Sequence, residues 1–204
     1  LNQFDTTSSV HNIPVAVRLP AALDVEALQL AVADVLARHE TLRTVYPSTD
    51  GTPHQVILPV EGNVPDLSPE TVAPEQVRDK IAELITTGFD VIDEVPLRAK
   101  LMRVADEEFV LVFVAHHISA DGWSMGPLTR DVMIAYAARA AGEAPGWAPM
   151  PVQYADFSVW QRRRMESNVL PPQLASWKRQ LQGAPPIPDL PTRPPPPASP
   201  SPRA

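Results

Sequence analysis

The strongest constraint on the fold is a run of seven residues at 109–115, Phe-Val-Leu-Val-Phe-Val-Ala, in which every position is apolar. A strand with one face in water alternates apolar and polar side chains, whereas a strand covered on both faces is apolar throughout. The run is also far too short to cross a membrane. We therefore expect residues 109–115 to form a central strand of a sheet with other structure packed on both of its faces.

The segments around this run predict the rest of the sheet and its helices. Val25, Leu28, Val32 and Val35 recur at helical spacing behind Asp24, a residue that can cap a helix. Strands are predicted at residues 13–19, 42–46, 54–58 and 97–104, a loop at 61–74 and a turn at 105–108. Helices are predicted from residue 25 to near 38–40 and at 75–87, 123–142, 153–166 and 173–182. This order indicates an α/β fold, a two-layer sandwich of a mixed sheet with packed helices.

Proline divides the chain into two parts. Of its 25 prolines, ten fall among the 22 residues 183–204. A segment so rich in proline cannot pack a core. Residues 1–182 are therefore predicted to form a folded body, and residues 183–204 a proline-rich linker or disordered tail. A polyproline ligand for an aromatic-lined domain is the less favoured interpretation of this tail.

Composition excludes several classes of protein. The chain has no cysteine, so a disulfide scaffold, a thiol nucleophile and a cysteine-ligated zinc site are excluded. Its formal net charge is −7 and its only basic cluster is at 162–164, which argues against a nucleic-acid partner. No basic-then-apolar signal segment opens the chain. These features favour a cytoplasmic protein without a membrane span.

The residues most suited to chemistry follow the apolar run directly. His116 and His117 are adjacent, so on a continuing strand they point to opposite faces and are poor joint ligands for a metal. A histidine at a buried strand end suits acid–base work on a substrate's own nucleophile. Asp121 and Gly122 follow, and glycine would permit a positive φ or a close backbone approach. The alternative is that both histidines are buried and hydrogen-bonded, with Asp121 as a helix cap.

Three motifs carry a resemblance to a known family. The pattern His116-His117-x-x-x-Asp121-Gly122 resembles the signature of nonribosomal peptide synthetase condensation domains, which the wider chloramphenicol acetyltransferase-like superfamily shares. Residues 38–46, Arg-His-Glu-Thr-Leu-Arg-Thr-Val-Tyr, and residues 154–160, Tyr-Ala-Asp-Phe-Ser-Val-Trp, resemble two further condensation-domain motifs in the same order. The resemblance runs from residue 1 to about residue 194 and implies one lobe of the two-lobed superfamily fold.

The resemblance implies an activity. In this family, the amine of a carrier-bound aminoacyl group attacks a carrier-bound acyl or peptidyl thioester and forms an amide. His117 would face the reaction, either as a base or as a positioning group. We expect the Gly122 N–H to help hold the developing oxyanion. No cofactor or metal is expected to bind directly, because the substrates are carried on the phosphopantetheine of partner carrier domains.

The resemblance also implies supporting roles for the neighbouring motif residues. His116 would pack or orient the site. Asp121 would be mainly structural and would pair with Arg43, or else with Arg38. Such a buried ion pair would make the loss of Asp121 damaging to the fold rather than to the chemistry alone.

The chain is shorter than the two-lobed domains of the family. The C-terminal motifs of the family, with Val-Asn-Thr and His-Gln-Asp character, are not in this sequence. We therefore expect the N-terminal lobe only, with little activity unless the C-terminal lobe completes it. Expected partners are upstream and downstream peptidyl carrier domains, that missing C-terminal lobe and an adenylation domain. The alternatives are a superfamily O-acyltransferase and a noncatalytic remnant or binding module.

Overall fold

The structure, a computed structural model, describes residues 6–104, 108–167 and 170–185. Contacts divide the chain into two units, Leu1–Gln153 and Tyr154–Ala204. The first contains, in order, β1 Asn12–Pro20, α1 Val25–Arg38, a 3₁₀ helix Glu40–Arg43, β2 Thr44–Val45, β3 Ser48–Thr49, β4 Thr52–Pro53, β5 Val56–Ile57, β6 Glu70–Thr71, a 3₁₀ helix Pro74–Gln76, α2 Val77–Thr86, β7 Leu97–Arg103, β8 Glu108–His116 and α3 Met125–Ala140. The second contains α4 Tyr154–Glu166 and α5 Leu170–Gln180.

The main sheet has the strand order β1-β8-β7-β6. Strand β8 pairs antiparallel with both β1 and β7, and β6 pairs parallel with β7. The apolar run therefore occupies an interior strand, and the prediction of a mixed sheet with packed helices is confirmed.

The two faces of β8 explain why every residue of the run is apolar. Alternate residues point to opposite sides of a strand. Phe109, Leu111 and Ala115 pack in one core cluster with buried side chains of α1 and α3. Val110, Val112 and Val114 join a second cluster with Phe89 and, from α2, Val77. Both faces are covered, as the run predicted.

Helix α1 forms where the sequence places its cap. The Oδ1 atom of Asp24 accepts a hydrogen bond from Ala27 N at 2.9 Å, which satisfies one of the unpaired donors of the first turn. Leu28, Val32 and Leu36 then lie buried on one face of the helix. The helix ends at Arg38, the first of the residues 38–40 near which the sequence predicts its end.

Two local predictions were wrong. Residues 42–46 were predicted as a strand, but a 3₁₀ helix at Glu40–Arg43 leaves only β2 extended. Local hydrogen bonds favour this turn, because Leu42 N donates to His39 O at 3.1 Å and Thr44 Oγ1 donates to Glu40 O at 2.7 Å. The predicted loop at 61–74 contains β6, which needs its distant partner β7 to be recognised.

The second unit consists of α4 and α5. Residues Tyr154, Phe157 and Trp160 recur every third position along α4, and successive rings contact each other in a tilted arrangement with centroid separations of 5.8 and 5.6 Å. The Arg164 guanidinium lies 5.3 Å from the Trp160 ring. Most of the predicted turn at 105–108 and most of the predicted tail at 183–204 lie outside the described residues. Within the described ranges, no helix combines the length and apolarity that a membrane crossing requires.

Candidate active site

Strand β8 delivers the two histidines to the end of the sheet. Asn12 opposes His116 in the register of β1 and β8, and His116 N donates to Pro96 O at 3.0 Å. One residue further, His117 N donates to His11 O at 2.8 Å. The backbone of both histidines is therefore held by the sheet and its neighbours.

His116 belongs to the interior. Its exposed fraction is 4%, and its ring lies edge-on to the rings of His11 and Phe89, at centroid distances of 5.7 and 5.9 Å. Its Nδ1 atom accepts a hydrogen bond from Ile118 N at 3.1 Å, so the neutral ring carries its proton on Nε2. Burial, assisted by the nearby His11 and His117, lowers the pKa of His116 to about 4. This ring is therefore neutral at physiological pH.

His117 is exposed, in contrast to its neighbour. Strand β8 ends at His116, so His117 lies in the turn that follows, and the two rings differ in burial. The alternative in which both histidines are buried does not hold, because only His116 is. An accessible imidazole on a backbone held by the sheet can exchange a proton with a bound ligand or orient its polar group.

Asp121 has a different partner from the one expected. Its Oδ1 atom accepts hydrogen bonds from Ser124 N at 2.9 Å and from Ser124 Oγ at 2.6 Å, while Asp121 N donates to Ser124 Oγ at 3.0 Å. These bonds with Ser124 lower the pKa of the carboxyl group. Asp121 is exposed and closes a turn just before α3, instead of pairing with Arg43 or Arg38. Its short side chain reaches its own turn more readily than a distant guanidinium.

Gly122 is exposed, with open space around it. A Cβ atom added there would meet nothing within 4 Å, and its φ is not in the left-handed region. Within the described residues, neither a positive φ nor a neighbouring protein atom requires a glycine at this position. Because glycine has no side chain, the Gly122 backbone N–H is open to an incoming group.

The two arginines of the 38–46 motif bind elsewhere. Arg38 Nε donates to Asp131 Oδ2 at 2.9 Å, and Arg38 Nη1 donates to Ala148 O at 2.7 Å. Arg43 Nε donates to Leu36 O at 3.0 Å, and its Nη1 donates to Leu58 O. Arg43 thus satisfies a free carbonyl in the last turn of α1 and ties it to the segment after β5.

Asp131 is the charged centre that the sequence reasoning missed. It is 2% exposed and lies on α3. Besides Arg38, both His39 Nε2 at 2.9 Å and Arg130 Nε at 3.0 Å donate to its carboxylate. Burial raises the pKa of Asp131, but the hydrogen bonds from His39, Arg130 and Arg38 outweigh it and hold that pKa below its ordinary value. The sequence does show an aspartate within a predicted helix, but no local pattern indicates which residues bind it.

The 38–46 motif reaches the histidine loop through one side chain. Thr41 Oγ1 donates to Ser119 O at 3.3 Å. Ser119 in turn donates through N and Oγ to His116 O, both at 2.9 Å. The two motifs, about 75 residues apart in sequence, therefore form one hydrogen-bonded group, with Asp131 and Arg38 at its other end. Across the described ranges, no three metal-ligating side chains come together.

The comparisons with known proteins define the class. A family model described as "Condensation domain" matches residues 1–203. The chain is 46% identical to the isonitrile lipopeptide synthase of Mycobacterium tuberculosis and 41% identical to the dimodular nonribosomal peptide synthase of Bacillus subtilis, in each case over 94% of this chain and 8% of the relative. This chain belongs to the condensation domain family.

Solved structures support the same assignment. The X-domain from teicoplanin biosynthesis superposes with a TM-score of 0.81 at 36% identity, covering 87% of this chain and 40% of that one. The starter condensation domain of rhizomide synthetase shares the fold, with a TM-score of 0.77 at 16% identity, covering 90% of this chain and 45% of that one. The chain thus spans under half of these neighbours and less than a tenth of the two relatives named above, and corresponds to one lobe of the two-lobed fold.

Proposed function

We propose that this chain is the histidine-bearing lobe of a condensation domain that forms an amide between two carrier-bound substrates in nonribosomal peptide synthesis. The free amine of an aminoacyl thioester attacks the carbonyl carbon of an acyl or peptidyl thioester. A C–N bond forms, the C–S bond breaks, and the carrier thiol leaves. The amine proton is transferred to the departing sulfur, directly or through a base.

The observation that carries this proposal is the contrast between the two histidines. His117 is exposed at the end of a sheet-bound strand, whereas His116 is buried and its pKa is lowered to about 4. His117 is therefore the imidazole that can contact the amine, and His116 stabilises the loop from the interior of the lobe. The open Gly122 backbone, near the start of α3, supports a role for its N–H in holding the oxyanion of the tetrahedral intermediate.

The partners follow from the same proposal. Upstream and downstream peptidyl carrier domains bring the substrates on phosphopantetheine, and an adenylation domain loads the acceptor. The C-terminal lobe supplies the opposite wall of the site. Holding both reactants in position lowers the activation barrier of such reactions by about 7–11 kcal/mol, and this requires both walls. We expect this chain alone to be inactive. The name of the mycobacterial relative, a lipopeptide synthase, favours an acyl group among the donors.

The test uses the full two-lobed protein with both carriers loaded and follows amide formation by mass spectrometry. His117→Ala should reduce the rate about 100-fold or more, the usual scale of a lost acid–base or positioning group, without changing the melting temperature. His54→Ala, at another exposed histidine, is the matched control and should keep the wild-type rate. An unchanged rate in His117→Ala would refute its catalytic role.

The competing functions give different products. Ester formation with a hydroxyl acceptor, and no amide, would replace the proposal with the O-acyltransferase alternative. Neither product from the full two-lobed protein would favour a noncatalytic module.

A further inference from the structure

Two buried polar atoms beside the candidate site have complementary chemistry. The Oδ1 atom of Asn12 and the Nε2 atom of His116 are both buried, and neither has a hydrogen-bond partner among the residues that the structure describes. Buried polar groups in folded proteins are nearly always hydrogen-bonded, to protein or to ordered water. An amide oxygen accepts hydrogen bonds, and the Nε2 atom of this neutral ring donates one, because its Nδ1 atom accepts from Ile118 N. The two atoms are therefore one acceptor and one donor.

The two side chains lie on the same face of the main sheet. Asn12 in β1 directly opposes His116 in β8. The side chains of directly opposed residues project to the same side, with Cβ atoms about 4.5–5.5 Å apart. The Phe89 ring, whose centroid is 5.9 Å from that of His116, lies on this face as well. The acceptor and the donor are thus close neighbours that do not bond to each other directly.

The orientation of the Asn12 amide is fixed by the end of α2. Its Nδ2 atom donates to Ile85 O at 2.7 Å and to Thr87 O at 2.9 Å. Both partners are carbonyl oxygens, so the nitrogen of the amide, and not its oxygen, must face them. Ile85 O is one of the carbonyls that the last turn of a helix leaves without a helical partner. The Oδ1 atom is therefore not needed for this contact and remains available to another donor.

The His116 ring in turn holds the backbone around His117. Its Nδ1 atom accepts from Ile118 N at 3.1 Å, and His117 N donates to His11 O at 2.8 Å. The bond from Ile118 N requires the proton of the ring to be on Nε2, because an Nδ1–H group cannot accept it. A partner that binds Nε2–H would fix both the tautomer and the orientation of this ring. It would thereby fix the residue that follows His117.

We propose that one buried water molecule bridges the two atoms, accepting from His116 Nε2–H and donating to Asn12 Oδ1, and that Asn12 is thereby a positioning residue for His117. This inference rests on the proposed function, since it gives Asn12 a part in presenting the imidazole to the amine. Water suits this place because it accepts and donates at once. Buried waters typically bond to polar groups that would otherwise be unpaired.

The first test uses the wild-type two-lobed protein and needs no activity. A crystal structure should show an ordered water within about 3 Å of both atoms. NMR of the isotope-labelled protein should show a neutral His116 ring with its proton on Nε2, and this proton should be shifted downfield and exchange slowly with solvent. An upfield proton, packed against the ring of His11 or Phe89, or a proton on Nδ1 would refute the bridge.

Two substitutions separate the oxygen of Asn12 from its nitrogen. Asn12→Asp keeps an acceptor oxygen but loses the amide donors, whereas Asn12→Leu has the same branched shape and loses both. Both should lower the melting temperature. Only Asn12→Leu should lose the downfield proton signal and reduce kcat by about 10- to 100-fold with little change in KM, as a displaced catalytic group would. Asn12→Asp should keep the signal and most of kcat.

The assays are run at about pH 8, because a nearby carboxylate raises a histidine pKa by about 1–3 units and the His116 ring must stay neutral in Asn12→Asp. The matched control is Asn63→Leu. The Asn63 side chain also donates to a backbone carbonyl, Pro59 O at 2.9 Å, in the loop before β6. This variant should leave the proton signal and kcat unchanged.

The outcomes separate this inference from the proposed function. Equal losses of kcat in Asn12→Leu and Asn12→Asp would assign the effect to the amide nitrogen and overturn the positioning role. Amide formation with an unchanged kcat in Asn12→Leu would preserve the proposed function and refute the role of Asn12. If no variant and no wild type forms an amide, the proposed function fails, and the crystal and NMR measurements still decide the bridge. Those measurements, with Asn12→Asp, also decide it if Asn12→Leu does not fold.

Discussion

Arg38 and Asp131 form an ion pair across 93 residues of sequence, with Arg38 Nε 2.9 Å from Asp131 Oδ2 and the aspartate side chain only 3% exposed. This contact joins the end of α1 to the middle of α3. It places the first residue of the 38–46 motif in the interior of the lobe, while Thr41 of the same motif binds the histidine loop. The motif therefore links the helices to the candidate site.

Asp131→Ala should destabilise the lobe strongly. It leaves Arg38 and His39 in a largely buried position without their carboxylate, and removing one partner of a buried pair costs about 3–5 kcal/mol. Chemical denaturation measures this loss. The matched control is Arg18→Ala, which breaks the exposed Arg18–Glu108 pair and should cost about 0–1 kcal/mol. Equal effects of the two variants would contradict a structural role for the Asp131 centre.

His116 should make stability depend on pH. Its folded pKa, about 4, lies below the ordinary histidine value of 6.5, so the unfolded chain binds the proton more readily. The contribution of neutral His116 to the free energy of unfolding is complete above about pH 6.5 and is lost as the pH falls towards 4. Denaturation at several pH values between 4 and 7 should show this slope.

The corresponding variant is His116→Gln, which can still accept from Ile118 N and does not titrate. It should flatten the slope. Val112→Ala, a substitution in the cluster on the same side of the sheet, should lower stability at every pH and leave the slope intact. A slope that persists in His116→Gln would assign the effect to another group.

Gly88 should not tolerate a side chain. A Cβ atom there would lie 2.6 Å from the Thr7 carbonyl carbon and would also overlap Thr6 O, both of which are backbone atoms. Gly88→Ala should therefore displace the Thr6–Thr7 segment and lower the melting temperature. Gly126→Ala in α3, where an added Cβ meets nothing within 4 Å, is the matched control and should leave the melting temperature unchanged or slightly raised. A fully stable Gly88→Ala protein would show that the segment does not pack there.

Asp121→Ala should lower the melting temperature less than Asp131→Ala does. The exposed Asp121 loses hydrogen bonds from its own turn, those from Ser124 and the weaker one from the Trp123 backbone, whereas Asp131 holds three cationic or polar side chains. Asp121→Asn keeps an acceptor oxygen and should recover most of the loss. If Asp121→Ala were as damaging as Asp131→Ala, Asp121 would have a partner beyond its own turn.

The sequence predicts the sheet well because burial on both faces demands apolar residues at every position. The run at 109–115 therefore identifies β8, and Asp24 marks the start of α1. Predictions failed where a distant partner or a local turn decides the conformation. Strand β6 depends on pairing with β7, and the 3₁₀ helix Glu40–Arg43 depends on side-chain bonds to carbonyls.

The candidate site, too, could be predicted from the sequence only in part. From the sequence alone came the family motifs and the position of the two histidines at the end of a buried strand, because a run that is apolar at every position identifies such a strand. Only the tertiary structure decided that His116 is buried and His117 exposed, that Asp121 binds Ser124, and that Arg38 meets Asp131. Burial and ion pairing depend on elements far apart in the chain, and no local pattern specifies which of them meet.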